Sequence, residues 1–375
     1  MSRRFKSFAG VGASAVMAVT LLTPAQGVDA STATSLNDFG GLANLEAACK
    51  VEGRLNTIAL PRYWANYGEV IDTFLRKYPF VSYDGLDPEA SSAEELAAIR
   101  QLKGSNRAPD TVDVGLAFAE VGAKEGLFTP YKVAKWSEIP AGLKEKNGLF
   151  YGDYGGVLAI GYDANKVKVP PTSLKDLENP RYKNQVALNG NPTSAGAARA
   201  ALFAISVAYA GGPKGVTDIK FGVDGVKKWS KNRTFIPIQS TAATVANGQT
   251  PITLDWDYLQ DKFAKSSPKV KWKKVIPSDA VIGGYYYQAI NKNAPNPACA
   301  RLWMEYLYSD QGQNLYLAGG ARPVRFDAMT KQNTVNKKYA RALPKYPAGV
   351  KPIYPSAAQQ AKATADLGKL WGKLN

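Results

Sequence analysis

From residue 41 the chain alternates between two periods of apolar residues. GLANLEAACKVE (41–52) carries helical spacing and stops at Gly53, a residue suited to the left-handed turn that ends helices. RLNTIAL then reads as a strand up to Pro61. In RYWANYGEVIDTFLRKYP, Val70, Ile71, Phe74 and Leu75 fall on one helical face. SSAEELAAIRQLKG predicts a helix capped by Ser91 or Ser92, with Glu94 and Glu95 in its first turn and Gly104 as its stop. TVDVGLAF is a short buried strand that runs into another helix. Strands that alternate with helices in this way define an α/β fold.

A second unit of the same kind starts near FYGDYGGVLAIGYD (150–163) and continues through a Pro-Pro turn, the strand-turn-helix of QVALNGNPTSAGAARAALFAISVAYAGG, and TPITLDWDYLQDKF. The chain then passes through GGYYYQAIN (283–291) into two helical stretches patterned on Leu302, Trp303, Tyr306 and Leu307, and ends in an amphipathic helix, QQAKATADLGKLWGKL. The expected architecture is two lobes, each a mixed sheet flanked by helices. Lobe 1 comprises residues 31–152 and 291–375, and lobe 2 residues 153–282. Hinge strands at 152–163 and 282–291 join them. Ligands of open α/β sheets sit beyond the carboxyl ends of strands, so two such lobes facing one another form a cleft.

Composition narrows the chemistry. The 375 residues include no histidine, which excludes Ser-His-Asp and Cys-His catalysis and any His-ligated metal. Two cysteines, Cys49 and Cys299, cannot build a four-thiolate site, and whether they pair is open from sequence. Carboxylates, lysine, tyrosine and serine remain, a set that favours binding over catalysis. Arg3, Arg4 and Lys6, the apolar stretch Phe8–Leu22, Pro24 and the small residues before a cut after Ala30 form the pattern of a secretory signal peptide over residues 1–30. The alternatives are a membrane anchor or a buried helix, and the apolar run is short for a span. SRRFK resembles a twin-arginine signal except at Lys6, so the export route is open. Removing residues 1–30 takes away three basic side chains and Asp29, leaving +14 of the formal +16. Such charge suits nucleic acid, an anionic envelope or an anionic ligand. Its densest run, KVKWKK (269–274), reads as an edge strand whose lysines block further pairing, and export argues against nucleic acid.

Three segments in order carry a family likeness: YGDYGGVLAIGYDANKVKVPPTSLKDLENP, NPTSAGAARAA, and YYYQAINKNAPNPACARLWMEYLYSDQGQ. Together they resemble the extracytoplasmic solute-binding proteins of ABC importers, in the two-hinge class of ferric-iron, thiamine, polyamine and phosphonate binders. The resemblance implies a type II, two-lobe periplasmic-binding-protein-like fold and an exported, monomeric, non-catalytic receptor with no cofactor and no resident metal. It implies two partners, a small-molecule ligand and a membrane permease. It places the ligand on loops after the strands of both lobes, where this chain has Arg62, Tyr63, Trp64 and Asn66, then Ser92, and Tyr154 on the first hinge strand. The turn 191–196, with Thr193 and Ser194, stands at a helix start suited to phosphate, phosphonate or carboxylate, or is an ordinary Ser/Thr cap. Asp255, Trp256 and Asp257 form a strand end suited to an ammonium group, the indole adding about 0.5–2 kcal/mol, or else one carboxylate caps the next helix.

In a strand, Tyr286 shares a face with Gly284 and Gln288, while Tyr285 and Tyr287 point the other way. Tyr286 matches the ligand-facing parity of polyamine-type relatives, which leaves its two neighbours to pack into the lobe. Iron binders of the family use adjacent tyrosines where this chain has Asp255-Trp256-Asp257, so iron falls behind polyamine-like and aminophosphonate-like solutes, although carboxylate and phenolate oxygens suit a hard cation. Thiamine and sugar phosphates follow. The rival classes are an exported carboxylate-based hydrolase using Asp255 and Asp257, and a nucleic-acid or envelope binder. Carboxylates two residues apart are poorly placed to flank a glycosidic bond.

Overall fold

The computed structural model describes residues 28–347 and 349–373. Nearly all of the expected signal segment therefore lies outside the described residues. No helix among the described residues is long and apolar enough to cross a membrane.

Ten strands organise the fold: β1 (Arg54–Ile58), β2 (Ser82–Leu86), β3 (Thr111–Gly115), β4 (Phe128–Thr129), β5 (Tyr151–Asp163), β6 (Val186–Leu188), β7 (Ile252–Trp256), β8 (Trp272–Val275), β9 (Gly283–Asn291) and β10 (Arg322–Pro323). β1 and β2 form a parallel pair, tied to the start of β3 by Asp110 N–H donating to the Asn56 carbonyl at 2.8 Å. The larger sheet has the order β3-β9-β5-β7-β6, with β4 on β9 and with β8 and β10 on β5.

β5 holds this sheet together. Its first half pairs antiparallel with β9, from Tyr151 opposite Gln288 to Val157 opposite Gly283. Its second half pairs with β7, from Leu158 opposite Trp256 to Tyr162 opposite Ile252, and with β8. The pairing register shifts between Gly152 and Gly155, a bulge that bends the strand. Gly155 is required there, because a Cβ on it would stand 2.3 Å from the Gly284 carbonyl oxygen. KVKWKK contributes only its last three residues to β8, which pairs with β5 alone among the described strands.

Helices cover the sheet as their apolar spacing predicts. Helix 67–77 buries Val70, Ile71 and Phe74, and helix 196–210 is buried along almost its whole length. Helix 92–101 begins with a capping box from Ser91 to Glu94 and ends at Gln101, three residues short of the expected stop at Gly104. Cys49 and Cys299 are disulfide-bonded, which joins helix 42–52 to helix 297–307. The Glu52 carboxylate reinforces that junction by accepting from the N–H groups of Ala298 and Cys299 at 2.9 and 2.8 Å. The C-terminal helix 357–370 packs on helix 116–124 and reaches helix 220–231, so it touches elements on both sides of the β5 crossing.

Candidate functional site

Where the two halves of the sheet meet, β3 and helix 196–210 approach backbone to backbone. A Cβ on Gly115 would lie 3.3 Å from the Cα of Gly196, and Ala93 N–H donates to the Ser194 carbonyl at 3.3 Å. Beside this contact is a partly open cavity of about 60 Å³. Its lining includes Trp64, Glu89, Ser92, Glu95, Asp113 and Tyr286, and among the described residues contains no lysine or arginine. The start of helix 196–210 forms part of the wall, and that helix has no side-chain cap.

Aromatic rings shape the surroundings. Trp64 stands edge-on to Tyr286 at 5.5 Å, and Tyr154 stacks on Tyr286 at 5.8 Å. Trp256 and Tyr258 stack on one another at 6.5 Å, and each meets this cluster edge-on, Trp256 at Tyr286 and Tyr258 at Trp64. Trp64 Nε1 donates to the Tyr154 hydroxyl at 2.8 Å, and that hydroxyl donates to Asp113 Oδ2 at 2.7 Å. The Tyr67 hydroxyl lies 2.9 Å from Asp113 Oδ2 and 3.4 Å from Asp153 Oδ2, so it links the two carboxyls. Gln288 Nε2 donates to Asp153 Oδ2 at 3.1 Å, and the Tyr316 hydroxyl donates to it at 3.3 Å.

These acids are buried with neutral partners only. Glu95 accepts from Asp113 N–H at 2.8 Å, and Asp255 accepts from Trp256 N–H and Asn189 Nδ2, both at 2.8 Å. Asp113 Oδ1 and the Tyr258 hydroxyl are buried without a hydrogen-bond partner among the described residues. Trp256 Nε1, near the Tyr286 hydroxyl, also falls short of hydrogen-bond geometry. Burial pushes the Asp255 carboxyl up to about 8 against the two N–H groups that hold it down. Burial raises Glu95 well above the carboxylate range, with Asp113 adding to the effect, and it raises Asp113 and Asp153 as a pair. A carboxylate taken out of water without a cation has two ways to be neutralised, a proton or a bound positive charge.

The expected site residues divide between this cavity and other surroundings. Trp64, Ser92 and Tyr286 line it, and Tyr154 and Trp256 back Tyr286. Ser92 Oγ accepts from Gly115 N–H at 3.2 Å, and the Tyr63 hydroxyl donates to Glu89 Oε2 at 2.9 Å. Thr193 donates twice to Asn191 Oδ1 in a turn, and Ser194 joins the same turn. Three expectations need correction. Arg62 is exposed and paired with Asp72 at 2.6 Å. Asn66 bonds the Leu315 carbonyl and Lys262 rather than facing the cavity. Asp255 and Asp257 do not act together, because β7 ends at Trp256 and the helix that begins at Asp257 turns its side chain away. Asp257 Oδ1 accepts from Val157 N–H at 2.8 Å beside a different cavity, and neither carboxylate caps the helix.

Glu95, Asp113, Asp153 and Asn189 join the site without having stood out as site residues in the sequence. Asp113 had a signal, since it sits within the apolar run TVDVG, where a carboxyl must find partners. Tyr285 and Tyr287 were expected to pack into the lobe. Tyr287 does so, buried in a core cluster with Phe150, and Tyr285 packs against the same cluster; both also border a second cavity, which Tyr286 borders as well.

Residues 111–346 match the family model of bacterial extracellular solute-binding proteins, more than half of the chain, and the protein belongs to that family. Over 243 residues it is 26% identical to iron uptake protein A2 of Synechocystis sp., across 61% of this chain and 68% of that one. Its fold is that of the periplasmic binding proteins. It is similar to AgtB from A. tumefaciens R10 in complex with agropinic acid, with TM-score 0.67 and 15% identity over 86% of this chain and 98% of that one. It is also similar to AfuA from Actinobacillus pleuropneumoniae with fructose-6-phosphate bound (0.64, 18%, covering 86% and 97%). The ferric binding protein from Campylobacter jejuni is a third similar structure (0.61, 17%, covering 86% and 99%).

Proposed function

We propose that this protein is the solute-binding component of an ABC importer, exported and monomeric, which captures a small amine-bearing solute and delivers it to a membrane permease. The solute is polyamine-like or a zwitterion such as an aminophosphonate. One observation carries this reading: Glu95, Asp113 and Asp255 are buried in or beside the cleft with no cationic partner, against the faces and edges of Trp64 and Tyr286. An ammonium group there gains the carboxylates and the aromatic rings together. The uncapped start of helix 196–210 offers N–H groups to the acidic end of a zwitterion. A lining without lysine or arginine disfavours sugar phosphates. In this reading the lobes are 31–152 with 291–375, and 153–282, and they close about 152–163 and 282–291.

Ferric iron is the second reading. Tyr154, Tyr258 and Tyr286 gather near Asp113, and the Tyr258 hydroxyl is unpaired, so phenolate and carboxylate oxygens stand close together. Iron uptake protein A2 as a relative and the ferric binding protein as a structural neighbour favour it. Among the described residues no three Asp, Glu, His or Cys side chains group as a metal site, so iron would depend on the phenols.

A thermal-shift series with spermidine, putrescine, 2-aminoethylphosphonate, fructose-6-phosphate and ferric citrate separates these. A solute at 100 times its dissociation constant adds about 2.7 kcal/mol. Stabilisation by the amines with no turnover supports the first reading. Stabilisation by ferric citrate alone, with a tyrosinate charge-transfer band, replaces it with the second, and consumption of the solute refutes a receptor.

A further inference from the structure

Along β9, next to the acidic cavity and sharing Gly196 and Tyr286 with it, the second cavity holds about 400 Å³, within the range of small-molecule sites. Its walls are aromatic. Tyr287 meets Phe150 edge-on at 5.8 Å, Tyr285 stacks on Tyr354 at 6.1 Å, and Phe118 lies under a guanidinium, 4.8 Å from ring centre to Arg199 Cζ. Arg199 is only 2% exposed, yet its hydrogen bonds all go to neutral acceptors: Pro192 O at 3.0 Å, Thr193 O at 3.1 Å and Thr364 Oγ1 at 2.8 Å. A guanidinium has five N–H donors, so two remain. Burial lowers its pKa to about 10, and it stays charged at neutral pH. The other charged residues of the lining, Glu120, Lys144 and Glu145, are exposed or half-exposed. A buried cation without an anion is costly, and an anion that reaches it removes that cost.

We propose that this cavity is a second ligand site, which takes a flat aromatic carboxylate with its ring among Phe118, Phe150 and Tyr287 and its carboxylate on Arg199. The site adjoins the cleft through Gly196 and Tyr286, but Phe118, Phe150, Tyr287 and Arg199 are not in the cleft lining, so it does not depend on which solute the cleft captures.

Calorimetry of the full chain with 4-hydroxybenzoate tests it, with the uncharged 4-hydroxybenzamide as comparison. Expected are one equivalent bound, at least tenfold weaker binding of the amide, and at least tenfold loss in Arg199→Met. Ala200→Phe, which fills the cavity from helix 196–210, should abolish binding while the melting temperature is kept, so the test survives if Arg199→Met loosens the 192–193 turn. No binding at millimolar 4-hydroxybenzoate, equal binding of acid and amide, or unchanged binding in Arg199→Met overturns the proposal. A tenfold loss in Trp64→Ala overturns it too, since the probe would then sit in the cleft.

Discussion

Gly115, at the end of β3, and Gly196, at the start of helix 196–210, meet with no side chain between them, and a Cβ on either would stand 3.3–3.4 Å from the other's Cα. That spacing is tolerable for a methyl group but not for a branched side chain. Gly196 also lines the acidic cavity, so the two halves meet at the cavity's edge.

Gly115→Leu should therefore hold the lobes apart. Small-angle scattering should show a larger radius of gyration in the variant than in the parent at saturating solute, with solute affinity reduced at least tenfold. An unchanged radius in both proteins, with and without solute, would mean that the lobes do not close about β5 and β9.

The carboxylates should separate by role. Asp113→Asn or Glu95→Gln should weaken amine binding by about two orders of magnitude, in line with loss of a charge-assisted contact in a buried site. Neither should lower the melting temperature of the free protein much, because each replaces a buried acid that has no cationic partner with a neutral amide of the same shape. Asp257→Asn should leave affinity within about threefold, since Asp257 bonds Val157 N–H away from the cavity. Isothermal titration with spermidine reads all three, and equal losses in Asp257→Asn and Asp113→Asn would contradict the assignment.

How much of this was legible in the sequence follows from how local each determinant is. β5 and β9 show as long apolar runs, and strand parity separated Tyr286 from Tyr285 and Tyr287, while the family resemblance chose which face to assign to the ligand. β2 escaped because SYDGL pairs only with β1 and buries none of its five residues fully, so no apolar pattern marks it. Asp255 and Asp257 misled because parity holds only within a strand, and the strand ends between them. The Asp113 network was hidden for another reason. Its members, Tyr67, Asp153, Tyr154, Gln288 and Tyr316, come from distant parts of the chain and meet only once β5 and β9 are paired. The same holds for the disulfide, whose cysteines are 250 residues apart.

That disulfide clips the start of the described chain to the helix that follows β9. Cys49→Ala with Cys299→Ala should cost about 2–5 kcal/mol, the usual range for a native disulfide. Chemical denaturation with and without reductant would measure it, and solute affinity should be retained, since both residues lie outside the cavity lining. A stability change under about 0.5 kcal/mol would show that the Glu52 bonds to Ala298 and Cys299 carry the junction on their own.

The buried acids make both stability and binding depend on pH, with opposite consequences. Asp255 titrates near 8 in the folded protein, against about 3.9 for an ordinary aspartate. Between those values the native state holds a proton that the unfolded chain has released, so stability is present at low pH and falls as pH rises towards 8. Glu95 and the Asp113–Asp153 pair act in the same direction. Each unit of upward shift is worth at most about 1.4 kcal/mol. The free protein should therefore melt several degrees higher at pH 5.5 than at pH 8, and Asp255→Asn should flatten that difference. An ammonium solute needs the ionised carboxylates and must displace their protons, so its affinity should rise over the same interval. Calorimetry at pH 7 in buffers of different ionisation enthalpy should report about one proton released per amine bound. A binding heat independent of buffer, together with an affinity flat from pH 5.5 to 8, would mean that these carboxyls do not meet the solute's charge.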